Sequence, residues 1–272
     1  MAKLLINPAT QKLLDAYIKA PAHALCITGD IGSGTGSVAA MLAEQLAGKP
    51  QLVTYIAPEK GLISIERIRQ LYEQTRSIQQ TKRCIVIDDA DAMSHDAQNA
   101  LLKLLEEPVE NVHFILTTHH ETGLLATIKS RTQMVQLLPI TAMQSQELLK
   151  NYSFDETASR QALFLASGHP AELTRLADDR DYFANRSVVV TDARNFLQAD
   201  DYGRLVVIKK YTDRTNALEF LSMCAKLLSF SLLKQRNYSA ADVMSVLDEV
   251  MQRIEANGHV RTHLMHLVTK LP

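Results

Sequence analysis

The sequence predicts an α/β protein: a doubly wound parallel sheet followed by an all-α C-terminal domain. Three observations carry this. Short β-branched apolar runs alternate with amphipathic helical stretches through the first half of the chain. A glycine-rich turn follows the first of those runs, and apolar residues recur at helical spacing through the last third.

The most informative stretch is CIVIDDADAMSHDAQNALLKLLEEP, Cys84 to Pro108. Its opening run, Cys84 to Ile87, is short and β-branched, as a buried parallel strand is. Asp88 and Asp89 then leave the carboxyl end of that strand together, where open α/β sheets place their ligand chemistry. Ser94 can cap the helix that follows, with Asp96 in its positive first turn and Ala97, Leu101, Leu104 and Leu105 on one face. Pro108 stops it. Strand, acidic pair and capped helix form a Walker B layout, in which one carboxylate holds a magnesium shell and the next aligns a water.

In chain order, Asn7 and Pro8 start a helix with Leu13, Leu14, Tyr17 and Ile18 on its apolar side, ending near Pro21. Residues 24 to 28 read as a strand. Gly29 to Ser37, GDIGSGTGS, is a glycine-rich loop with Gly29, Gly32 and Gly34, feeding a helix from about Val38. Backbone N–H groups in such a loop, together with the helix N-terminus, attract an anion. Gly29 and Gly34 stand at the glycine positions of G-x-x-x-x-G-K-[ST], but Thr35 takes the lysine position, Gly36 the hydroxyl position, and Ser37 comes one step late. The missing ammonium forfeits charge-assisted hydrogen bonds of about 1.5–3 kcal/mol each. The loop is therefore either a weakened nucleotide site or a turn that only packs a helix on a strand.

Residues 52 to 56 read as a second strand. Ser64 caps a helix with Ile65, Ile68 and Tyr72 on one face and solvated Arg67 and Arg69 beside it. Residues 112 to 118 supply a fourth strand ending at Thr118, on the same sheet edge as the acidic pair. His119 and His120 read as solvated, because adjacent extended residues point to opposite sides. Residues 128 to 132, IKSRT, close a helical turn before a last strand at 134 to 138, and Pro139 breaks the chain.

At 272 residues two or three domains are expected. With 46% hydrophobic and 22% charged residues and a net charge of -1, the protein has no global positive field, so any contact with nucleic acid rests on a local patch. Cys26, Cys84 and Cys224 are far apart, the first two inside apolar runs, as buried thiols of a reducing compartment would be. No secretory h-region and no run near the roughly 18 apolar residues of a membrane span is present, making the cytoplasm the default.

Together, the glycine-rich loop, SIERIRQL, the Walker B stretch with LLKLLEEP, FILTT and Ser130-Arg131-Thr132 resemble the AAA+ clamp-loader subunits of bacterial DNA polymerase III. The resemblance implies an AAA+ domain at residues 1–139, a helical lid at 140–186 and a collar (oligomerisation) domain at 187–272. In that collar Leu227, Leu228, Leu232, Leu233, Val246 and Leu247 are among the apolar positions, part of them buried against sister subunits. It implies a nucleotide site formed by Gly29, Gly32, Gly34, Thr35, Ser37, Asp88, Asp89 and Thr118. Departures point to a degenerate site: no loop lysine, Ala171 where the lid's G-x-x-R turn carries arginine, and Asp89 in place of glutamate. The sequence also has Thr132 where cysteine is frequent, and no four-cysteine zinc module between loop and Walker B, so no metal is expected. Ser130 and Arg131 are kept, and in this family that arginine reaches across the subunit interface as a finger in trans. A dead site with a retained finger is the delta-prime pattern. The resemblance implies ATP and magnesium at a neighbouring subunit only, gamma/tau-like and delta-like partners, a sliding clamp, and primer-template DNA near Lys103, which is equally readable as a solvated lysine. An active ATPase subunit with an irregular loop is the alternative.

Overall fold

The computed structural model describes residues 4–75, 81–235 and 239–271, with side chains described outside 231–240. It divides into two compact units, residues 1–178 and 179–272.

In the first unit, α1 (Pro8–Lys19) is capped by the Asn7 side chain, which accepts the Ala9 N–H, with Pro8 in the first turn. β1 (Ala24–Thr28), wholly buried, leads through the glycine loop into α2 (Thr35–Ala47). α2 starts three residues earlier than its apolar pattern suggests, because Gly34, left-handed at φ 86°, serves as its cap. Thr35, Gly36 and Ser37 therefore lie in the helix's first turn. After β2 (Val53–Ile56) comes α3 (Ile65–Thr75), whose buried face is Ile68, Leu71 and Thr75. Tyr72, expected on that face, is 41% exposed, since Leu71 continues the stripe from Ile68 at i+3.

β3 (Arg83–Ile87) and α4 (His95–Glu106) follow the expected pattern. Ser94 Oγ accepts the Ala97 N–H at 3.2 Å, and Ala97, Leu101, Leu104 and Leu105 are buried. β4 (Val112–Thr118), the one-turn α5 (Ala126–Lys129) and β5 (Gln133–Gln136) complete the sheet. All five strands are parallel in the order β2-β3-β4-β1-β5. The chain runs from central β1 out to the edge at β2, returns through β3 and β4, and crosses to β5. The crevice at the carboxyl ends of β1, β3 and β4 is thus a topological switch point. One apolar cluster packs under α3 and α4, the other under α1 and α2.

Three lid helices belong to the same unit: α6 (Ala142–Leu149), α7 (Glu156–Ala166) and α8 (Pro170–Asp178). Asn7 Nδ2 donates to Pro139 O at 2.6 Å and Gln144 Nε2 to Ile6 O at 2.8 Å, tying the lid's entrance to the N-terminal segment.

The second unit contains α9 (Arg180–Gln198), α10 (Asp201–Ile208), α11 (Arg214–Gln235), α12 (Ser239–Glu255) and α13 (Val260–Lys270). A division at 186/187 would cut α9, which is continuous, and the units separate at Asp178–Asp179 instead. Phe220 anchors this core, edge-on to Phe196 and stacked on Tyr211 with centroids 4.3 Å apart. Tyr211 Oη and Lys210 Nζ both donate to the buried Asp192 carboxylate, at 3.0 and 2.7 Å. Leu205 and Val206 are exposed, while Leu247, Val250 and Ile254 are buried. The side chains of Leu232 and Leu233 lie outside the described residues. The three cysteines are buried and free. Among the described residues no helix is long and apolar enough to cross a membrane.

One buried polar side chain fixes α4 to the rest of the unit. Gln98 donates to Gly123 O at 2.9 Å and accepts the Leu125 N–H at 2.9 Å. Replacing Gln98 with Leu orphans both groups at about 1–3 kcal/mol each. Urea unfolding should show that loss, while the exposed neighbour Asn99→Leu should stay within about 0.5 kcal/mol of the parent.

Candidate functional site

The site is built at the carboxyl ends of β1, β3 and β4. Pairing of Ile87 with Leu116 across β3 and β4 sets Asp88 opposite Thr117. The Thr117 hydroxyl donates to Asp88 Oδ1 at 2.6 Å and accepts the Asp89 N–H at 2.9 Å. Asp89 adopts a left-handed backbone, φ 47°, which an Asp tolerates better than most residues. Thr118, the hydroxyl expected here, is fully buried, and its Oγ1 accepts the His120 N–H at 3.1 Å. The alternation of side chains along β4 gives the acidic pair Thr117 instead.

His119 is not solvated as expected. The turn after β4 brings it back over the glycine loop, where Nδ1 lies 2.6 Å from Gly29 O and Nε2 lies 3.5 Å from Asp89 Oδ1. The opposite-sides rule holds only while the backbone stays extended, and the strand ends at Thr118. Burial, and next the neighbouring Asp88 carboxylate, push the Asp89 carboxyl above its ordinary value, with His119 opposing them.

The glycine loop is braced by the lid. Gly32 O accepts the N–H groups of Ala171 and Glu172 at 3.0 and 3.1 Å, so the first turn of α8 points at a loop carbonyl. A Cβ on Gly32 would stand 2.8 Å from Glu172 Cβ, and Gly32 is left-handed at φ 85°, so this approach requires glycine. His169 Nε2 lies 3.2 Å from Asp30 Oδ2 across the same contact. Ser37 is exposed and Thr35 buried. A Cβ at Gly36 would stand 3.1 Å from Asp88 Oδ1, so a side chain at this position would meet that carboxylate.

Two groups by which a G-x-x-x-x-G-K-[ST] loop holds a magnesium–triphosphate are missing. The loop has no ammonium, position 36 has no hydroxyl, and Asp88 Oδ1 already takes a hydrogen bond from Thr117. Among the described residues no group of three or more His, Cys, Asp or Glu could hold a metal ion. A cavity of about 490 Å³ does open beside the loop, lined by Ser33, Gly34, Ser37, Tyr152, Ala171 and Arg175. Arg175 was not identified from sequence. It lies one helical turn beyond Ala171 on the same face of α8, and that i+4 spacing is the signal that could have found it.

Arg131 lies at the rim, just past α5, with its side chain 35% exposed. Its Nη2 pairs with Glu106 Oε1 at 2.8 Å, and its Nη1 donates to Thr127 O at 3.2 Å and Ser130 Oγ at 3.4 Å. Ser130 is exposed, its Oγ donating to Thr127 O. Lys103 is exposed on α4 beside a groove that also contains Arg69, Glu73 and Asp96, so the charges there balance. The structure thus brings the loop, Asp88 and Asp89 together and leaves Ser130, Arg131 and Lys103 at the surface.

Residues 48–141 match the family model described as DNA polymerase III, delta subunit. Over 187 residues the chain is 32% identical to DNA polymerase III subunit delta-prime of Yersinia pestis, a match covering 65% of this chain and 55% of that protein. Its counterpart in Escherichia coli is 28% identical over 196 residues, 70% of this chain and 57% of that one. The chain thus spans little more than half the length of these relatives. In fold it is similar to a DNA polymerase III gamma subunit-related protein of Thermotoga maritima, with TM-score 0.58, 19% identity, and 96% and 97% of the two chains covered. In sequence, then, the chain is similar to delta-prime subunits of DNA polymerase III over about two thirds of its own length, and in fold to a gamma subunit-related protein.

Proposed function

We propose that the chain is a delta-prime-like subunit of a cytoplasmic DNA polymerase III clamp loader. It braces the loader ring, binds no nucleotide productively, and lends Arg131 to the ATP site of a neighbouring subunit. The observation that carries the reading is the seat of the lid on the loop: Ala171 and Glu172 N–H groups are spent on Gly32 O, where a working site would aim a cation and free amides at phosphate. Arg131, in contrast, is at the surface. Gamma/tau-like and delta-like subunits are the proposed neighbours, with the exposed apolar side chains of α10 available to sister collars. The sliding clamp and primer-template DNA are the proposed cargo. Lys103 is the residue proposed to face DNA, and its balanced surroundings make its share of that contact small.

The cavity lined by Arg175 favours a second reading, an active ATPase subunit with an irregular loop. Labelled ATP titrated into the isolated chain separates the two: the delta-prime reading expects neither micromolar binding nor turnover. In the loader reconstituted with its partner subunits, Arg131→Ala should assemble normally by mass, while ATPase falls by up to about three to five decades at the site it serves. Unchanged ATPase would instead leave a scaffold with a vestigial finger.

The acidic pair yields a further expectation. Because the folded-state pKa of Asp89 is raised, the native state holds its proton more tightly than the unfolded chain. The associated stability is complete below the ordinary carboxylate range and is lost as pH rises through the Asp89 pKa. Asp89→Asn removes the repelling charge, so it should raise the melting temperature at pH 7, and the gain should shrink as pH falls toward about 4. A gain that stays constant with pH would show that the charge is not its cause.

A further inference from the structure

We infer that Glu106 is a positioning residue for the guanidinium of Arg131, an inference that rests on the reading of Arg131 as a finger acting in trans. An arginine side chain has large rotamer freedom, and a finger that must be ordered anew at each encounter loses part of its effect. Here the guanidinium is already ordered. Glu106 Oε1 holds Nη2 at 2.8 Å, while Thr127 O and Ser130 Oγ hold Nη1 at 3.2 and 3.4 Å. A guanidinium has five N–H donors, so three acceptors leave donors for a phosphate oxygen. The carboxylate and the two other oxygens engage different terminal nitrogens, which fixes the plane of the group as well as its distance.

The two ends of this contact are also fixed to each other. Glu106 is the last residue of α4, whose buried face is seated in the core. Gln98 of the same helix accepts the N–H of Leu125, the residue that caps α5, and donates to Gly123 O just before it. α5 then presents Arg131. One helix therefore sets the backbone that carries the arginine, through Gln98, and the direction of its head, through Glu106. Glu107, the next acidic residue, caps the end of α4 through its backbone and serves as an internal control.

The experiment uses the full chain reconstituted with its partner subunits, clamp and primed DNA, measuring ATP hydrolysis by steady-state kinetics. Glu106→Gln keeps the shape and removes the charge. It should lower kcat about two- to fivefold, as expected for a partly exposed ion pair, and leave the KM for ATP unchanged. Assembly mass and the chain's melting temperature should stay as in the parent, and Glu107→Gln should be silent. A Glu106→Gln loader as fast as the parent overturns the inference, as does a faster one, which would make Glu106 a restraint on the arginine. A loss confined to KM, or traced to failed assembly, overturns it too. The Arg131→Ala loader separates the failures: if it is inactive while Glu106→Gln is unaffected, only the positioning role falls. If Arg131→Ala hydrolyses normally, the finger reading and this inference fall together.

Discussion

The register of the three central strands is the constraint on which the site depends. Ile87 pairs with Leu116 and Thr28 pairs with Thr118, so the first residues beyond each strand are set against one another by backbone hydrogen bonds alone. Asp88 then meets Thr117, and the glycine loop leaving β1 meets His119 leaving β4. A slip of one residue in either ladder would turn the buried side chains of a two-sided sheet and break both contacts. The side chains at this edge are secondary to the pairing that delivers them.

Given that scaffold, the electrostatics of the crevice are set by its acidic pair. Asp88 and Asp89 are adjacent and half-buried, and their mutual repulsion adds to desolvation in raising the Asp89 carboxyl. A threonine hydroxyl on Asp88 and a histidine ring 3.5 Å from Asp89 offset these effects locally. The left-handed backbone at Asp89 is held by the Thr117 hydroxyl, which accepts its N–H.

Much of this was legible in the sequence. The buried strand, the acidic pair, the Ser94 cap and the apolar face of α4 are local patterns whose signal lies within a dozen residues, and the glycine loop announces itself by composition. The parts that were not legible depend on contacts between segments far apart in the chain. Thr117 rather than Thr118 serves the carboxylate because of strand parity at a terminus whose last residue could not be fixed from pattern. His119 looked solvated because its partner, Gly29 O, lies 90 residues away. The seat of Gly32 O on the first turn of α8 and the pairing of Arg131 with Glu106 are likewise long-range. The boundary placed at 186/187 falls inside α9 because that helix is continuous from Arg180 to Gln198 and its periodicity carries no break.

α4 links these observations mechanically. Its N-terminus is capped directly after the turn that carries Asp88 and Asp89, its middle is bonded through Gln98 to the segment entering α5, and its last residue meets Arg131. A helix of 12 residues is about 18 Å long, so one rigid element spans from the chain's own acidic pair to the arginine at its rim. Its ends are pinned by different kinds of contact, a backbone turn on one side and an exposed ion pair on the other. The ion pair is the weaker of the two and the one that solvent or a partner can replace, so any adjustment of this element falls on the Glu106 end while the Asp88 end stays registered to the sheet.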